Sequence, residues 1–412
     1  MKYIILVGDG MADYPLPDFG DRTPLEIAKT PNMDYVACSG ILGRVKTIPD
    51  GMLPGSDVAG MSLMGYAPEE YYTGRAPLEA ANLGIELGEC DVAFRCNFVT
   101  VVGDTLIDFS SGHITTEEGH SLVYSLNHEL GTDDVVFYGG VGYRNLLIMR
   151  KASNNLVEIR CSPPHDIIGQ SVAEHLPQGM GQEELIRLMQ KSSAVLAHHE
   201  VNSARVQSGN NPGNMIWLWG QGTKPNLPTY RERYGLDSGV VISAVDLIKG
   251  LGKILGLKVI DVPGATGYYD TDYHGKAMAA VEALENVDFV LVHVEAPDEA
   301  GHNGDLKEKI RAIENFDRFV VGKVLEYVEQ KQDARMMVLP DHFTPLSVRT
   351  HTREPVPFAI CGHHVDGGGF LGYSEREAEK SEFVFGNGCQ LIEYLFERKA
   401  QDLGVSQYSI NE

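Results

Sequence analysis

The sequence predicts an α/β protein: a parallel-sheet core with helices on both faces, interrupted by an inserted α+β domain. Three apolar runs, residues 3–7, 288–294 and 336–339, stop abruptly at polar clusters: Gly8-Asp9-Gly10, Glu295-Ala296-Pro297-Asp298 and Pro340-Asp341-His342. Continuous apolar runs, as opposed to alternating ones, mark strands covered on both faces, as in a parallel sheet. Helical patterns separate the runs. Residues 275–284 precede the second, and residues 306–330 link the second to the third, with Ile310, Ile313, Phe316, Phe319, Val320, Val324 and Tyr327 at helical spacing. Strands alternating with helices read as α/β.

Between about Cys90 and Asp237 the texture changes. Short β-like pieces (99–102, 135–137, 146–149, 215–219) mix with helical segments and turn punctuation such as Ser162-Pro163-Pro164 and Asn211-Pro212-Gly213. This stretch, residues 90–238, is expected to be a second domain inserted into a discontinuous first one, 1–89 and 239–412. No internal repeat or low-complexity tract appears.

With 34 Lys+Arg against 57 Asp+Glu the formal net charge is −23. That field disfavours nucleic acid and anionic membrane as partners, so an anionic small-molecule substrate needs a local pocket of cations. The six cysteines, at positions 38, 90, 96, 161, 361 and 389, form no C-x-x-C pair and read as reduced thiols. The apolar run after Lys2 is too short for a signal peptide, and no stretch approaches the roughly 20 apolar residues that span a bilayer. A cytoplasmic protein is expected.

In an open parallel sheet, ligands sit at the carboxyl ends of the strands, so residues just after each run converge although they are far apart in sequence. Asp9, Asp298, Asp341 and His342 occupy such positions. His302 follows Asp298 at one helical turn, and His351 follows His342 closely. Three carboxylates and three imidazoles make a mixed N/O donor set suited to Mn²⁺ or Zn²⁺, with Mg²⁺ less favoured because it prefers oxygen. Taken singly, an Asp at a strand end is usually a turn or cap residue, and only their coincidence at several strand ends points to a metal site.

Ser56, in Pro54-Gly55-Ser56-Asp57 before the apolar stretch 58–64, has two readings. It is a helix N-cap, or it is a nucleophile at a helix N-terminus that favours both an alkoxide and a phosphate. A divalent cation bonded to the hydroxyl lowers its pKa without a general base.

These residues resemble the alkaline phosphatase superfamily and, within it, the cofactor-independent phosphoglycerate mutases in their shorter archaeal-type form. The resemblance runs over nearly the whole chain. Its anchors are residues 5–10 with Asp13 and Pro15, Lys29 to Asp34, Pro54 to Asp57, Ala296 to His302, and Leu339 to His342 with His351. It implies an alkaline-phosphatase-like core and two divalent metals, one held by Asp9, Ser56, Asp341 and His342, the other by Asp298, His302 and His351. It implies that Ser56 carries the phosphoryl group and that the inserted domain acts as a lid over the substrate.

Moving a phosphate between two hydroxyls of one molecule requires water to be excluded and the intermediate's carboxylate to be held, which suits the arginine fork. By resemblance, His113 is assigned to phosphate contact or proton transfer, and Arg144 and Arg205 to the substrate's carboxylate and phosphate, with Arg95 a further candidate. A lysine is expected near the nucleophile: Lys249 matches best and Lys276 second. Cys361-Gly362-His363-His364 lacks a partner cluster for a metal, Gly367-Gly368-Gly369 lacks the Lys-Ser/Thr of a nucleotide loop, and His198-His199 read as surface residues.

The resemblance implies interconversion of 3-phosphoglycerate and 2-phosphoglycerate, in glycolysis and gluconeogenesis, without bisphosphoglycerate. The alternatives are a phosphotransferase on another small alcohol, such as a homoserine-kinase-like relative, with residues 220–225 a candidate segment for such a difference in specificity, a phosphatase or phosphodiesterase of the same superfamily, and a catalytically silent metal-binding scaffold.

Overall fold

The computed structural model describes residues 1–152, 154–331 and 333–396. The chain divides into two compact units, one of Met1–Tyr72 together with the chain from Leu227, the other Thr73–Asn226. The division therefore falls earlier than the composition break suggests. The helix Arg75–Asn82 packs its Ala76 and Ala80 with Ala93, Leu146 and Ile148, which belong to the inserted unit's own sheet.

The first unit is organised on an eight-stranded sheet flanked by helices. Its order is Val384–Phe385, Ile41–Val45, Val356–Gly362, Ala334–Leu339, Lys2–Gly8, Phe289–Val294, Gly239–Ile242 and Lys258–Val259. The three apolar runs are the three central neighbours. Lys2–Gly8 pairs in parallel with Phe289–Val294 on one side and Ala334–Leu339 on the other. Both neighbours are buried at every position, as expected for strands covered on both faces. The sheet is not wholly parallel: Val356–Gly362 runs antiparallel to both of its neighbours. Residues 340–355 contain no helix to carry the chain back across the sheet, so the next strand starts from the edge where the last one ended.

The segment expected as one helix over 306–330 is continuous but changes its winding. α-Helices Leu306–Asn315 and Gly322–Gln330 flank a π-helical turn at Phe316–Val321. That turn carries Asp317, whose carboxylate accepts from the backbone N–H groups of Asn32 at 3.3 Å and Met33 at 2.7 Å. The helix Pro31–Ser39 has no side-chain cap at Thr30, so Asp317 satisfies its orphan donors from a distant part of the chain. Helix Tyr273–Leu284 begins at Asp272, which caps it through Gly275.

The inserted unit holds a sheet of Thr105–Asp108, Val92–Val102, Arg144–Met149 and Val135–Val141, with Met215–Gly222 also pairing Val92–Val102. Its strands are longer than their apolar cores suggest, because Arg95, Asn97 and Asn145 are buried polar members of the ladders. Helices Thr116–Leu130 and Gln182–Leu196 close the core with Leu122, Leu126, Leu185 and Leu188 against Phe94, Phe98 and Trp217.

Candidate functional site

Strand register builds the centre. Gly8 pairs with Val294 and Val7 with Leu339, so Asp9 and Glu295, one residue past the first pair, and Asp341, two residues past Leu339 as Asp9 is past Val7, leave three adjacent strands at the same level. Asp298 sits in the first turn of helix Ala296–Asn303, and His302 returns to it one turn later at 3.2 Å. Gly10 permits the close approach: at φ +60°, a Cβ there would meet the Thr344 hydroxyl at 2.5 Å and the Asp298 Cα at 2.8 Å.

All seven residues expected to hold metal converge. His342 Nε2 lies 3.5 Å from Asp9 Oδ1, 3.3 Å from Asp341 Oδ2 and 3.2 Å from the Ser56 hydroxyl. His351 Nε2 is 3.4 Å from Asp298 Oδ1 and 2.9 Å from His302 Nε2. Three donor clusters result, Asp298-His342-His351, Asp9-His293-Asp341 and Asp9-Glu295-Asp298, with the ligand atoms of each within 4.8 Å of one another. Ser56 is not the helix cap. Gly55 takes that position, and the half-buried Ser56 hydroxyl, on the first residue of helix Ser56–Leu63, faces His342.

The arrangement suits a divalent cation on three counts. Both Asp9 oxygens and Asp341 Oδ2 are buried without a hydrogen-bond partner, a costly state for carboxylates unless a cation meets them. Burial, then Asp341, Asp298 and Glu295, push the Asp9 carboxyl well above its usual range. Burial also opposes ionisation of Asp298, but bonds from His302 and His351 hold it well below the usual range.

Proton accounting gives the third. The Thr344 hydroxyl donates to ionised Asp298 at 2.5 Å, so at its 3.2 Å contact with His342 Nδ1 it accepts. His342 Nε2 therefore presents a bare lone pair to Asp9, Asp341 and Ser56, and burial lowers this imidazole to about 4. His302 Nδ1 faces the carbonyl of Arg349 at 3.0 Å, which only accepts, and this again leaves Nε2 for a ligand. An imidazole donating its far N–H to a carbonyl or hydroxyl is the usual support of a metal ligand. The buried Lys309 anchors the assembly by donating to the Thr344 carbonyl at 2.8 Å and to Asp13 at 2.7 Å.

Two members of these clusters escape a sequence reading. His293 lies inside the apolar run 288–294, and Glu295 is the first residue after it. The available signal was an imidazole in an otherwise aliphatic buried strand, which has to find a partner. Of the two lysines, Lys249 pairs with Asp261 at 2.7 Å, whereas Lys276 is buried and donates to the His293 carbonyl at 3.1 Å. Burial lowers Lys276 to about 8, with Glu295 opposing the shift.

In the inserted unit, His113 is exposed at the end of a left-handed run, Ser111 (φ +52°), Gly112 (φ +64°) and His113 (φ +50°). Asp108 straps this loop, accepting from Ser110 N at 2.8 Å, Gly112 N at 2.7 Å and Asn211 Nδ2 at 2.7 Å. Arg205 is committed to the same loop: it donates to the carbonyls of Ser111 (2.7 Å), Gly112 (3.0 Å) and Asn211 (2.9 Å) and pairs with Glu118 (2.6 Å). Its guanidinium thus holds the backbone that presents His113.

Arg144 is exposed, its guanidinium 5.2 Å over the Tyr143 ring. Buried Arg95 stacks 4.2 Å over Trp219 and shares Glu79 with Arg75, at 3.0 and 3.3 Å. Burial lowers Arg95 to about 10, and Arg75 and Arg144 push the same way against Glu79. Two guanidiniums share one carboxylate and a third, Arg144, lies near enough to Arg95 to repel it, which makes a local excess of positive charge in an acidic chain. Arg75 had no motif to mark it.

The features set aside from sequence are ordinary, with one difference. His363 and His364 stack on each other at 3.8 Å, outside every donor cluster of the described residues. His199 is not a plain surface residue, since its ring caps helix Glu200–Gln207 through Val201 N and meets Ser125 at 3.0 Å. None of the six cysteines is in a disulfide. No helix among the described residues is long and apolar enough to cross a membrane.

Comparison with known proteins places this geometry in context. A family model described as 2,3-bisphosphoglycerate-independent phosphoglycerate mutase matches residues 37–202. A protein of that name from Methanothermobacter thermautotrophicus is 51% identical over 402 residues, covering 97% of this chain and 98% of its own. One from Methanothrix thermoacetophila is 50% identical, covering 96% and 99%. Among solved structures, a Pyrococcus horikoshii protein superposes with TM-score 0.81 at 31% identity, covering 97% of this chain and 98% of its own. A cofactor-independent phosphoglycerate mutase from Thermoplasma acidophilum gives 0.65 at 27%, covering 96% and 99%.

Proposed function

Because the chain belongs to the 2,3-bisphosphoglycerate-independent phosphoglycerate mutases, we propose that it interconverts 3-phosphoglycerate and 2-phosphoglycerate through a phosphoserine at Ser56. The reading includes two divalent cations, Mn²⁺ first and Zn²⁺ or Mg²⁺ as alternatives, with Asp9, Ser56, Asp341 and His342 holding one and Asp298, His302 and His351 the other. When bound, such cations supply a lowered hydroxyl pKa at Ser56 and charge neutralisation of the transferring phosphoryl group.

The observation that supports this most is the Ser56 hydroxyl, 3.2 Å from an imidazole nitrogen with a bare lone pair, beside carboxylate oxygens that have no hydrogen-bond partner. In the forward step the Ser56 oxygen forms a bond to phosphorus as the bond to the glycerate oxygen breaks. The serine proton leaves and the glycerate oxygen takes one up. The second step reverses this at the neighbouring hydroxyl, so atoms and protons balance with no net hydrolysis. Lys276 is the better placed of the two lysines for charge near the centre. In the inserted unit, Arg144, Arg95 and Arg75 supply the cationic locus for the substrate's anionic groups, His113 contacts phosphate or moves a proton, and Arg205 positions its loop.

The test is turnover of 3-phosphoglycerate coupled to enolase, in the presence of Mn²⁺, with free phosphate followed in parallel. Isomer formation far above phosphate release is expected. Phosphate release that matches or exceeds isomerisation makes the protein a phosphatase. Silence with 3-phosphoglycerate alongside transfer from a nucleotide to a small alcohol such as homoserine makes it a phosphotransferase.

A further inference from the structure

The site contains a buried imidazole that no assignment uses. His293 stands in strand Phe289–Val294 opposite Val7, two residues before Asp9 on the neighbouring strand. It is fully buried, and its Nε2 lies 3.0 Å from Asp9 Oδ2. The two atoms are not aligned for a hydrogen bond, and both lack any other partner. Polar contacts in metal-free sites are often loose and tighten on loading.

Its hydrogen-bonding is the reverse of that at His342 and His302. Those rings donate through Nδ1 and turn Nε2 toward the donor clusters. His293 Nδ1 instead faces the Ser243 hydroxyl at 3.4 Å, and that oxygen already accepts from Val245 N at 3.0 Å. The Ser243 hydroxyl keeps its O–H and a second lone pair and so can serve either tautomer, but an Asp9 carboxylate ionised to hold a cation only accepts, which puts the ring proton on Nε2, aimed at Asp9, and leaves Nδ1 to accept from Ser243. An imidazole protonated at that nitrogen is a donor, not a ligand. Lys276 holds the same residue's carbonyl at 3.1 Å, which fixes the strand on which the ring is mounted.

We infer that His293 is a positioning residue of the metal centre, donating through Nε2 to Oδ2 of Asp9 so that Oδ1, the oxygen nearest His342, faces the cation. The inference rests on the two-metal reading above and adds to it a residue outside the ligand set. Supports of this kind typically govern metal affinity by about 10- to 100-fold.

Two measurements test it, neither of them activity. Metal binding by the full chain is titrated calorimetrically with Mn²⁺, and content is checked by mass spectrometry, for wild type, His293→Gln, His293→Asn and His293→Leu. Gln carries an N–H at the reach of Nε2, whereas Asn does not. The expected result is near-wild-type affinity for Gln, with one of the two sites weakened about 10- to 100-fold in Asn and Leu. Equal affinity at both sites in all four proteins overturns the inference. So does equal loss in Gln and Leu.

Should a variant fold poorly, long-range ¹H–¹⁵N correlation on Zn²⁺-loaded wild type decides the matter alone. A proton on Nε2 of His293 is expected, and a proton on Nδ1 or a Zn²⁺ bond at Nε2 refutes the positioning role. Wild type that takes up no metal sinks the two-metal reading and this inference together. Wild type with two metals and an unaffected Leu variant sinks the inference only.

Discussion

The two units hold their polar groups by opposite means. In the first, Asp9, His293, Asp341 and His342 are buried at the ends of rigid, paired strands, and their placement follows from register. In the inserted unit, His113 is exposed and its placement follows from a loop forced into three successive left-handed residues. Left-handed backbone costs roughly 1–2 kcal/mol per non-glycine residue, whereas hydrogen bonds to a charged carboxylate contribute about 1.5–3 kcal/mol each. The donors gathered by Asp108 are therefore sufficient to keep Ser111 and His113 strained. Burial of like charge makes the first centre suited to a cation, while backbone strain leaves the second needing only its strap. Failure of the two regions should look different.

The sharpest separation is expected from Ser56→Ala. Loss of the nucleophile should lower phosphoryl transfer by about 10⁴-fold or more. Metal content should fall only modestly, because one ligand of one site is removed. Transfer that survives at wild-type rate removes Ser56 from the mechanism.

Next comes Asp298→Ala or His302→Ala, which breaks the 3.2 Å contact between those residues. Either should empty one of the two metal sites, read directly as metal per chain, with activity falling with it. Full occupancy after Asp298→Ala contradicts the donor assignment.

Asp108→Ala probes the other region. It removes the acceptor shared by Ser110, Gly112 and Asn211, and should destabilise the fold by about 1–3 kcal/mol and lower turnover by about 10²-fold through a displaced His113. Metal content should remain at the wild-type value. Metal loss in this variant would erase the contrast between the two regions.

The smallest effect concerns pH. Burial opposes the charge on His302, but its bond and attraction to Asp298 carry the imidazole up to about 9 in the metal-free protein, above about 6.5 for the unfolded chain. A raised imidazole contributes stability that is complete below the unfolded value and lost as pH rises through the folded one. A metal-bound imidazole is neutral throughout. The metal-free melting temperature should therefore fall by roughly a few degrees from pH 6.5 to 9, and the gap to the Mn²⁺-loaded protein should widen over that range. Calorimetry on both forms checks the sign, and a gap that narrows with rising pH refutes it.

Much of the first centre was legible in the chain itself. An apolar run covered on both faces is a local pattern, and so is its abrupt end. Asp9, Asp298, Asp341 and His342 could thus be placed at strand ends, and His302 at one helical turn from Asp298. Ser56 stayed ambiguous between cap and nucleophile, because a cap depends on where the helix begins, and Gly55 takes that place. In the inserted unit less could be read. Arg95 and Asn97 interrupt the hydrophobic pattern of a strand that is nonetheless buried, and the strap between Asp108 and Asn211 spans a separation no periodicity encodes.

The sequence by itself determined the alternation of strands and helices, the polar residues at strand ends and the acidic charge balance, since each depends on neighbours within a few positions. Tertiary structure alone decided that Val356–Gly362 runs antiparallel, that Arg205 grips a loop, that Lys276 is buried against the His293 carbonyl, and that His293 faces Asp9. Those outcomes depend on which strand lies beside which and in what register. Pairings between residues hundreds of positions apart are set by the packing of the whole core, not by any local segment.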